Sequence, residues 1–164
     1  MNIFYLHDDP LNAARYHCDK HVVKMILEYA QLLSTAHHML DGDDAPEGIY
    51  KCTHKNHPSA VWVRQSKDNY IWTLDCFLWL LDEYEKRYHK KHKTSRLAPI
   101  LLQWPVNIPD VGFTQPPQCM PDEYKCDDSV EAYRNYYIGE KAYFASWRNT
   151  KTPEWWYGAN HTAC

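Results

Sequence analysis

The chain has 164 residues, of which 45% are hydrophobic and 15% aromatic, and its formal net charge is −3 with histidine neutral. This composition excludes a disordered chain, and the length suits one domain that buries a core without disulfides or metals. The acidic balance does not indicate a nucleic-acid partner, although the 10 histidines can gain charge beside an anion. None of the five glycines builds a glycine-rich phosphate loop, and we expect no cofactor.

Three principal helices are predicted in chain order. The stretch Asp8–Pro10 is a typical helix start, and apolar residues then recur at helical spacing over Leu11–Leu40. A turn-rich segment at 41–48 ends this helix, and a proline opens the second helix, Pro58–His92. The third helix, Ser129–Trp147, begins with the spacing of a capping box.

A proline-rich segment separates the second and third predicted helices. Residues 93–128 hold six of the 10 prolines together with many large apolar residues. A flexible linker would not carry so much apolar surface, so we expect a long irregular loop that wraps the helices. The tail, with Trp155, Trp156 and Tyr157, is expected to dock onto the core. The sequence therefore predicts a single all-α domain over residues 1–164.

The cysteines and the first residues bear on location. None of the six cysteines forms a CxxC pair, and the chain begins without a charged region followed by a long apolar run. We therefore predict reduced thiols, a cytoplasmic location and no membrane partner. The six are Cys18, Cys52, Cys76, Cys119, Cys126 and Cys164.

A polar stripe interrupts the first predicted helix, which is otherwise apolar nearly all round. His17, His21, Lys24 and Glu28 follow one another at spacings of four, three and four residues. This spacing places them within about one 60° sector of a helix. Since such a helix is largely buried, its polar stripe is expected to line a cleft that is an active or binding site. A structural hydrogen-bond network is the alternative interpretation.

A second polar cluster precedes the second helix, in the sequence THKNHP at 53–58. His54, Asn56 and His57 place hydrogen-bond donors beside the positive end of a helix, which suits an anion such as phosphate. The same residues could instead cap the helix, and the two interpretations are compatible.

The third predicted helix interleaves aromatic and basic residues. Arg134, Lys141 and Arg148 occur among tyrosines, phenylalanine and tryptophan over Tyr133–Arg148. This mixture suits phosphate contacts and base stacking, although aromatic residues at helical spacing also build cores.

Three of these segments carry a resemblance. The sequences KHVVK at 20–24, NHP at 56–58 and AYRNYYIGEKAYFA at 132–145 resemble the pyrimidine-dimer DNA glycosylases of the endonuclease V type. The chain is also similar, over nearly its full length, to uncharacterised proteins of marine tailed phages, with CDKHVVKMILE at 18–28 as the shared stretch. The second resemblance implies the cytoplasm of a host cell.

The glycosylase resemblance implies an all-helical domain that acts on duplex DNA. It further implies extrusion of a damaged base, an imine formed through an N-terminal amine, and an acidic catalytic residue on the first helix. In this chain the position that matches the catalytic glutamate is His21. The family has a small second residue, whereas this chain has Asn2 at that position. An initiator methionine is normally kept when asparagine follows it, so Met1 is expected to stay.

Roles can be assigned on that basis. His21 would be the acid–base group, His17 would lie beside it, and Glu28 would orient it or stabilise positive charge on the sugar. Lys24 or Lys20 would bind phosphate or, if desolvated, supply the amine. The remaining contacts to DNA would come from His54, Asn56, His57, Arg134, Lys141 and Arg148.

Two other classes stay open. One is a metal-dependent nucleotide hydrolase or nuclease, with His17 and His21 as ligands and a third from Glu28, His54 or His57. Lys24 projects from the same stripe and would repel a cation, so no metal is predicted. The other class is a non-enzymatic phage protein that binds a host protein or a nucleotide.

Overall fold

The structure is a computed structural model that describes residues 1–156, and these residues form helices and connecting loops without a β-strand. The all-α prediction is therefore confirmed for this part of the chain. The principal helices are α1 (Pro10–Tyr16), α2 (Asp19–Asp41), α3 (Pro58–Gln65), α4 (Lys67–Tyr88), α5 (Ala98–Leu101) and α6 (Ser129–Glu140). Tyr157 and Cys164, for which the sequence made predictions, lie outside the described residues.

The N-terminal segment, residues 1–6, lies between α2 and α6. Its residues 3–6 are all buried, and burial of each large apolar side chain contributes about 1.5–3 kcal/mol. The Phe4 amide donates to the Tyr29 hydroxyl of α2 at 3.0 Å, and Arg134 Nε of α6 donates to the Leu6 carbonyl at 2.9 Å. The segment is thus fixed from both sides, and α2 packs against α3 and α4 beyond it.

The predicted helix Leu11–Leu40 is two helices, α1 and α2, which separate at His17. His17 has the extended backbone angles φ −60° and ψ 130°. The fully buried Arg87 of α4 donates to the His17 carbonyl at 2.7 Å and to the Arg15 carbonyl at 2.9 Å. Because these carbonyls have a partner outside the helix, the chain can leave the helical path here.

The predicted helix Pro58–His92 is also divided, into α3 and α4. Ser66 between them is extended, with φ −152° and ψ 145°. The side chain of Asn69 donates to the Trp62 carbonyl at 3.0 Å, and the Lys67 amide donates to the Pro109 carbonyl at 2.8 Å. Helix α4 ends at Tyr88, before the predicted end, because His89 adopts left-handed angles with φ 58°.

The third predicted helix is shorter than expected, since α6 ends at Glu140 rather than near Trp147. Residues 141–147 turn back toward the start of α2. The Ser146 carbonyl accepts the Asp19 amide at 2.8 Å, and Trp147 Nε1 donates to the Tyr16 carbonyl at 2.9 Å. These contacts hold the loop after α6 against the break between α1 and α2.

Residues 102–121 contain no helix and follow the surfaces of α2, α3 and α4. The Asp41 carboxylate at the end of α2 accepts the amides of Val106 at 2.8 Å and Asn107 at 3.0 Å. Trp62 Nε1 of α3 donates to the Thr114 carbonyl at 3.1 Å. Hydrogen bonds from three helices therefore fix the backbone of this proline-rich segment.

Two findings bear on the predictions about thiols and membranes. The five cysteines within residues 1–156 are free and form no disulfide. In the same range, no helix combines the length and the apolar character that a membrane crossing requires.

Candidate functional site

An α-amine and a carboxylate meet at the end of the polar stripe. The Met1 nitrogen lies 3.8 Å from Glu28 Oε1, and only 6% of Met1 and 15% of Glu28 are exposed at the side chain. The other carboxylate oxygen, Oε2, lies 3.6 Å from Lys24 Nζ, whose side chain is 67% exposed. Glu28 therefore lies between the α-amine of Met1 and a lysine at the surface.

The residue next to Glu28 fixes the position of this amine. The hydroxyl of Tyr29 accepts the Phe4 amide at 3.0 Å, and the ring of Phe4 stacks on His21 at 4.2 Å. Because Tyr29 and Glu28 are consecutive residues of α2, one helical turn holds both the N-terminal segment and the carboxylate that faces its amine.

His57 caps the start of α3. Its Nδ1 accepts the Ser59 amide at 3.0 Å as the helix cap, so Nε2 carries the proton of the neutral ring. Partial burial, and next the charge of the Met1 ammonium, lower the pKa of His57. The ring is thus close enough to Met1 to sense its charge, whereas His54 and Asn56 of the same loop are exposed.

His21 is buried and packs among aromatic rings. Its Nδ1 lies 2.5 Å from the Tyr137 hydroxyl, and one of its faces stacks on Phe4. Burial is the main reason that the pKa of His21 falls to about 2, and the charges of His17, Lys141 and Lys24 lower it further. His21 is therefore neutral at pH 7, so it has no imidazolium that could act as a general acid.

His17 does not lie on α2 and is separated from the other three stripe residues. It is fully buried, with Nδ1 at 2.6 Å from the Ala13 carbonyl and Nε2 at 2.8 Å from the Tyr29 hydroxyl. Burial lowers the pKa of His17 to about 4. Both ring nitrogens are engaged, and no group of three potential metal ligands occurs within residues 1–156.

Two further lysines flank the stripe beside aromatic rings. Lys141 Nζ lies 4.8 Å from the ring centre of Tyr136, and Lys20 Nζ lies 4.9 Å from that of Phe144. The Phe144 ring is in turn 5.6 Å from the ring of His21. The outer edge of the stripe therefore combines positive charge with aromatic surface.

The two arginines predicted to contact DNA lie elsewhere. Arg134 donates to the Leu6 carbonyl and rests on two aromatic rings, and burial lowers its pKa. The guanidinium of Arg148 lies 5.1 Å from the ring centre of Tyr88. Of the three predicted cations, Lys141 alone is close enough to His21 for its charge to lower the pKa of that ring.

Helical spacing could not identify the amine of Met1, because residues 1–6 are not helical. One signal was available, since the apolar run Ile3–Leu6 indicates that the beginning of the chain is buried and thus fixed. The resemblance implied an N-terminal amine, and the structure gives that amine a carboxylate partner.

No known protein family, no curated protein and no solved structure matches this chain. The geometry of the amine, Glu28 and the surrounding lysines is therefore the basis for any assignment of function.

Proposed function

We propose that the protein is a DNA glycosylase with abasic-site lyase activity that acts on a damaged or modified base in duplex DNA. The nucleophile is the α-amine of Met1, and Glu28 is the acid–base residue. The observation that carries the proposal is the 3.8 Å ion pair between the Met1 nitrogen and Glu28, two residues whose side chains are largely buried. An amine and a carboxylate at one such site are the two groups that imine chemistry at a sugar carbon requires.

The reaction follows from these two groups. Glu28 accepts a proton from the ammonium of Met1, and the free amine attacks C1′ of the nucleotide. The bond from C1′ to the base breaks, and the base leaves with the electron pair and takes up the proton that the Met1 nitrogen loses after its attack. The bond from C1′ to O4′ then opens as Glu28 protonates O4′, which leaves an imine between Met1 and the sugar. Loss of a proton from C2′ releases the 3′ phosphate with its electron pair.

The assignment of the amine to Met1 rather than to Lys24 rests on the exposure of the Lys24 side chain. A lysine that acts as a nucleophile is usually desolvated, whereas Lys24 is 67% exposed. Lys24 is therefore assigned to phosphate binding together with Lys20 and Lys141. The aromatic surface at Tyr136 and Phe144 is suited to contact an extruded nucleotide.

His57 and His21 receive different roles. The Nε2–H group of His57 can donate a hydrogen bond to the sugar or to a phosphate beside the amine. His21, neutral because its pKa is about 2, supports Phe4 and thereby the N-terminal segment. The sequence analysis assigned the acid–base role to His21, and we now assign it to Glu28.

The proposal is tested by reduction with borohydride in the presence of duplexes that carry an abasic site or a damaged base. We expect a covalent adduct, and mass spectrometry of its peptides should place the sugar on residue 1. Lys24→Ala should keep the adduct. A Gly-Ser extension before Met1 should abolish it, because the new terminal amine no longer faces Glu28.

Three outcomes contradict parts of this proposal. An adduct on Lys24 would keep the activity but reject Met1 as the nucleophile. Base release without an adduct would reject imine chemistry. Neither release nor adduct on any of these duplexes would reject the glycosylase altogether.

A further inference from the structure

The net charge of −3 conceals a strongly positive segment. The sequence KRYHKKHKTSR, residues 86–96, contains six of the 18 lysines and arginines. The next acidic residue along the chain is Asp110. This segment covers the end of α4 and the loop after it, and the sequence features that suggested DNA contacts lie outside it.

Within this segment, two lysines are free to meet an anion. Lys90 and Lys93 are exposed, and neither forms an ion pair with any residue between 1 and 156. Lys91 shares a cleft with the acidic Asp82 and Glu85. Arg96 is already bound, because it donates to the Gly48 carbonyl at 3.1 Å.

The positive segment is joined to the polar stripe. His92 Nε2 lies 3.2 Å from the Val23 carbonyl of α2, so the loop is fastened beside the residue that precedes Lys24. Val23 and Leu27 are each 39% exposed. Helical geometry places these two residues beside Lys20 and Lys24 on α2.

We propose that Lys20, Lys24, Lys90 and Lys93 form one phosphate-binding face, which holds the backbone of duplex DNA next to the modified nucleotide. This inference rests on the proposed function. Lys20, Lys90 and Lys93 have no carboxylate partner within residues 1–156, so they can neutralise phosphates and release counterions, which is the main source of affinity for DNA. Lys24 pairs with Glu28 at 3.6 Å, but its side chain is 67% exposed and adds a further positive charge to the face. A protein partner is less well matched, because the apolar surface between the lysines consists of two half-exposed side chains.

The test measures binding separately from chemistry. Fluorescence anisotropy would follow a labelled duplex with a tetrahydrofuran site, which cannot form an imine, over a range of KCl concentrations. For K90Q/K93Q we expect the slope of log K against log salt to fall by about two. At 0.1 M salt this corresponds to a loss of affinity on the order of tenfold or more.

The matched control variant also removes two lysine charges, but at positions outside the proposed face. Lys67 is the first residue of the 22-residue helix α4, about 30 Å from the loop that follows its end. Lys125 lies before α6 and pairs with Asp122 at 2.9 Å. K67Q/K125Q should keep the wild-type slope, and both double variants should keep the wild-type melting temperature.

The outcomes separate this inference from the proposed function. With saturating protein at low salt, the control K67Q/K125Q should give the wild-type amount of borohydride adduct. Adduct formation by the wild type together with an unchanged slope for K90Q/K93Q would reject the phosphate-binding face alone. An equal decrease of the salt slope in both double variants would also reject the phosphate-binding face, since binding would then depend on net charge and not on these lysines. A wild type that neither binds nor forms the adduct would reject both proposals.

Discussion

Glu28 has two cationic neighbours and one negative charge. Its oxygens lie 3.8 Å from the Met1 nitrogen and 3.6 Å from Lys24 Nζ. The exposed Lys24 can be solvated by water, and the Met1 ammonium has Glu28 as its counter-charge. If Met1 is the nucleophile as proposed, its reactivity should respond to the loss of the charge on Glu28.

We predict that Glu28→Gln slows base excision by roughly 10²- to 10⁴-fold, the usual effect of removing an acid–base group. Affinity for duplex DNA should stay equal or increase slightly, because a negative charge is removed from beside the proposed phosphate-binding lysines. Single-turnover excision and anisotropy measure the two effects. Glu131→Gln, an exposed position on α6, should leave both unchanged. If Glu28→Gln excised the base at the wild-type rate, a group other than Glu28 would have to be the acid–base residue.

At the level of residues, the sequence was sufficient to predict which side chains lie together when they belong to one helix. Lys24 and Glu28 are four residues apart on α2, and helical spacing correctly placed them together. His17 was misplaced because the chain leaves the helix at that residue. The Met1 amine could not be placed from periodicity, since the N-terminal segment reaches Glu28 through tertiary contacts with α2 and α6.

At the level of the elements, helix starts could be predicted from the sequence, whereas helix breaks could not. Local caps mark the predicted starts: the Asp9 carboxylate accepts the Leu11 amide at 3.2 Å, and the Asp128 carboxylate accepts the Val130 amide at 3.0 Å. These partners are neighbours in sequence, so their pattern is readable. The break at His17 depends on Arg87, which lies 70 residues away and cannot be recognised from a local window.

Arg87 is the centre of a buried ionic cluster between α1, α2 and α4. It lies 3.2 Å from the Asp19 carboxylate and 3.0 Å from the Glu83 carboxylate, in addition to its bonds to two carbonyls. Removal of one partner from a buried ion pair leaves charges and carbonyls without compensation. The cost of that loss is typically larger than the net contribution of the pair itself.

We predict that Arg87→Met lowers the free energy of unfolding by about 3–5 kcal/mol. Urea unfolding followed by circular dichroism measures this change. Lys86→Met provides the neighbouring control: the Lys86 side chain is 50% exposed and its contact with Glu83 is 4.0 Å, so a change within about 0.5 kcal/mol is expected. Equal midpoints for the two variants would show that the buried cluster does not stabilise the junction of α1 and α2.

At the scale of the whole molecule, buried histidines link stability to pH. Burial lowers the pKa of His17 to about 4 and that of His21 to about 2, whereas an unfolded chain binds these protons near pH 6.5. The full stability is thus present above pH 6.5 and is lost as the pH falls toward the folded values. Each histidine contributes a slope of about 1.4 kcal/mol per pH unit within this window.

We predict that the free energy of unfolding is about 3–4 kcal/mol lower at pH 5.0 than at pH 7.5. Urea titrations at the two pH values measure the difference. His21→Phe keeps a ring on Phe4 and removes one titrating group, so about half of the pH dependence from this pair should disappear. Unchanged stability between the two pH values would contradict the neutral, buried state of both histidines.

The distance in sequence between His17 and Arg87 has a consequence for the growing chain. At a synthesis rate of about 5–20 residues per second, the residue that imposes the break emerges several seconds after the segment it breaks. Until then, local preference favours one uninterrupted helix, with His17 in line with His21, Lys24 and Glu28. We therefore expect the nascent chain to pass through the arrangement that the periodicity describes. It should exchange that arrangement for the native one when α4 is complete.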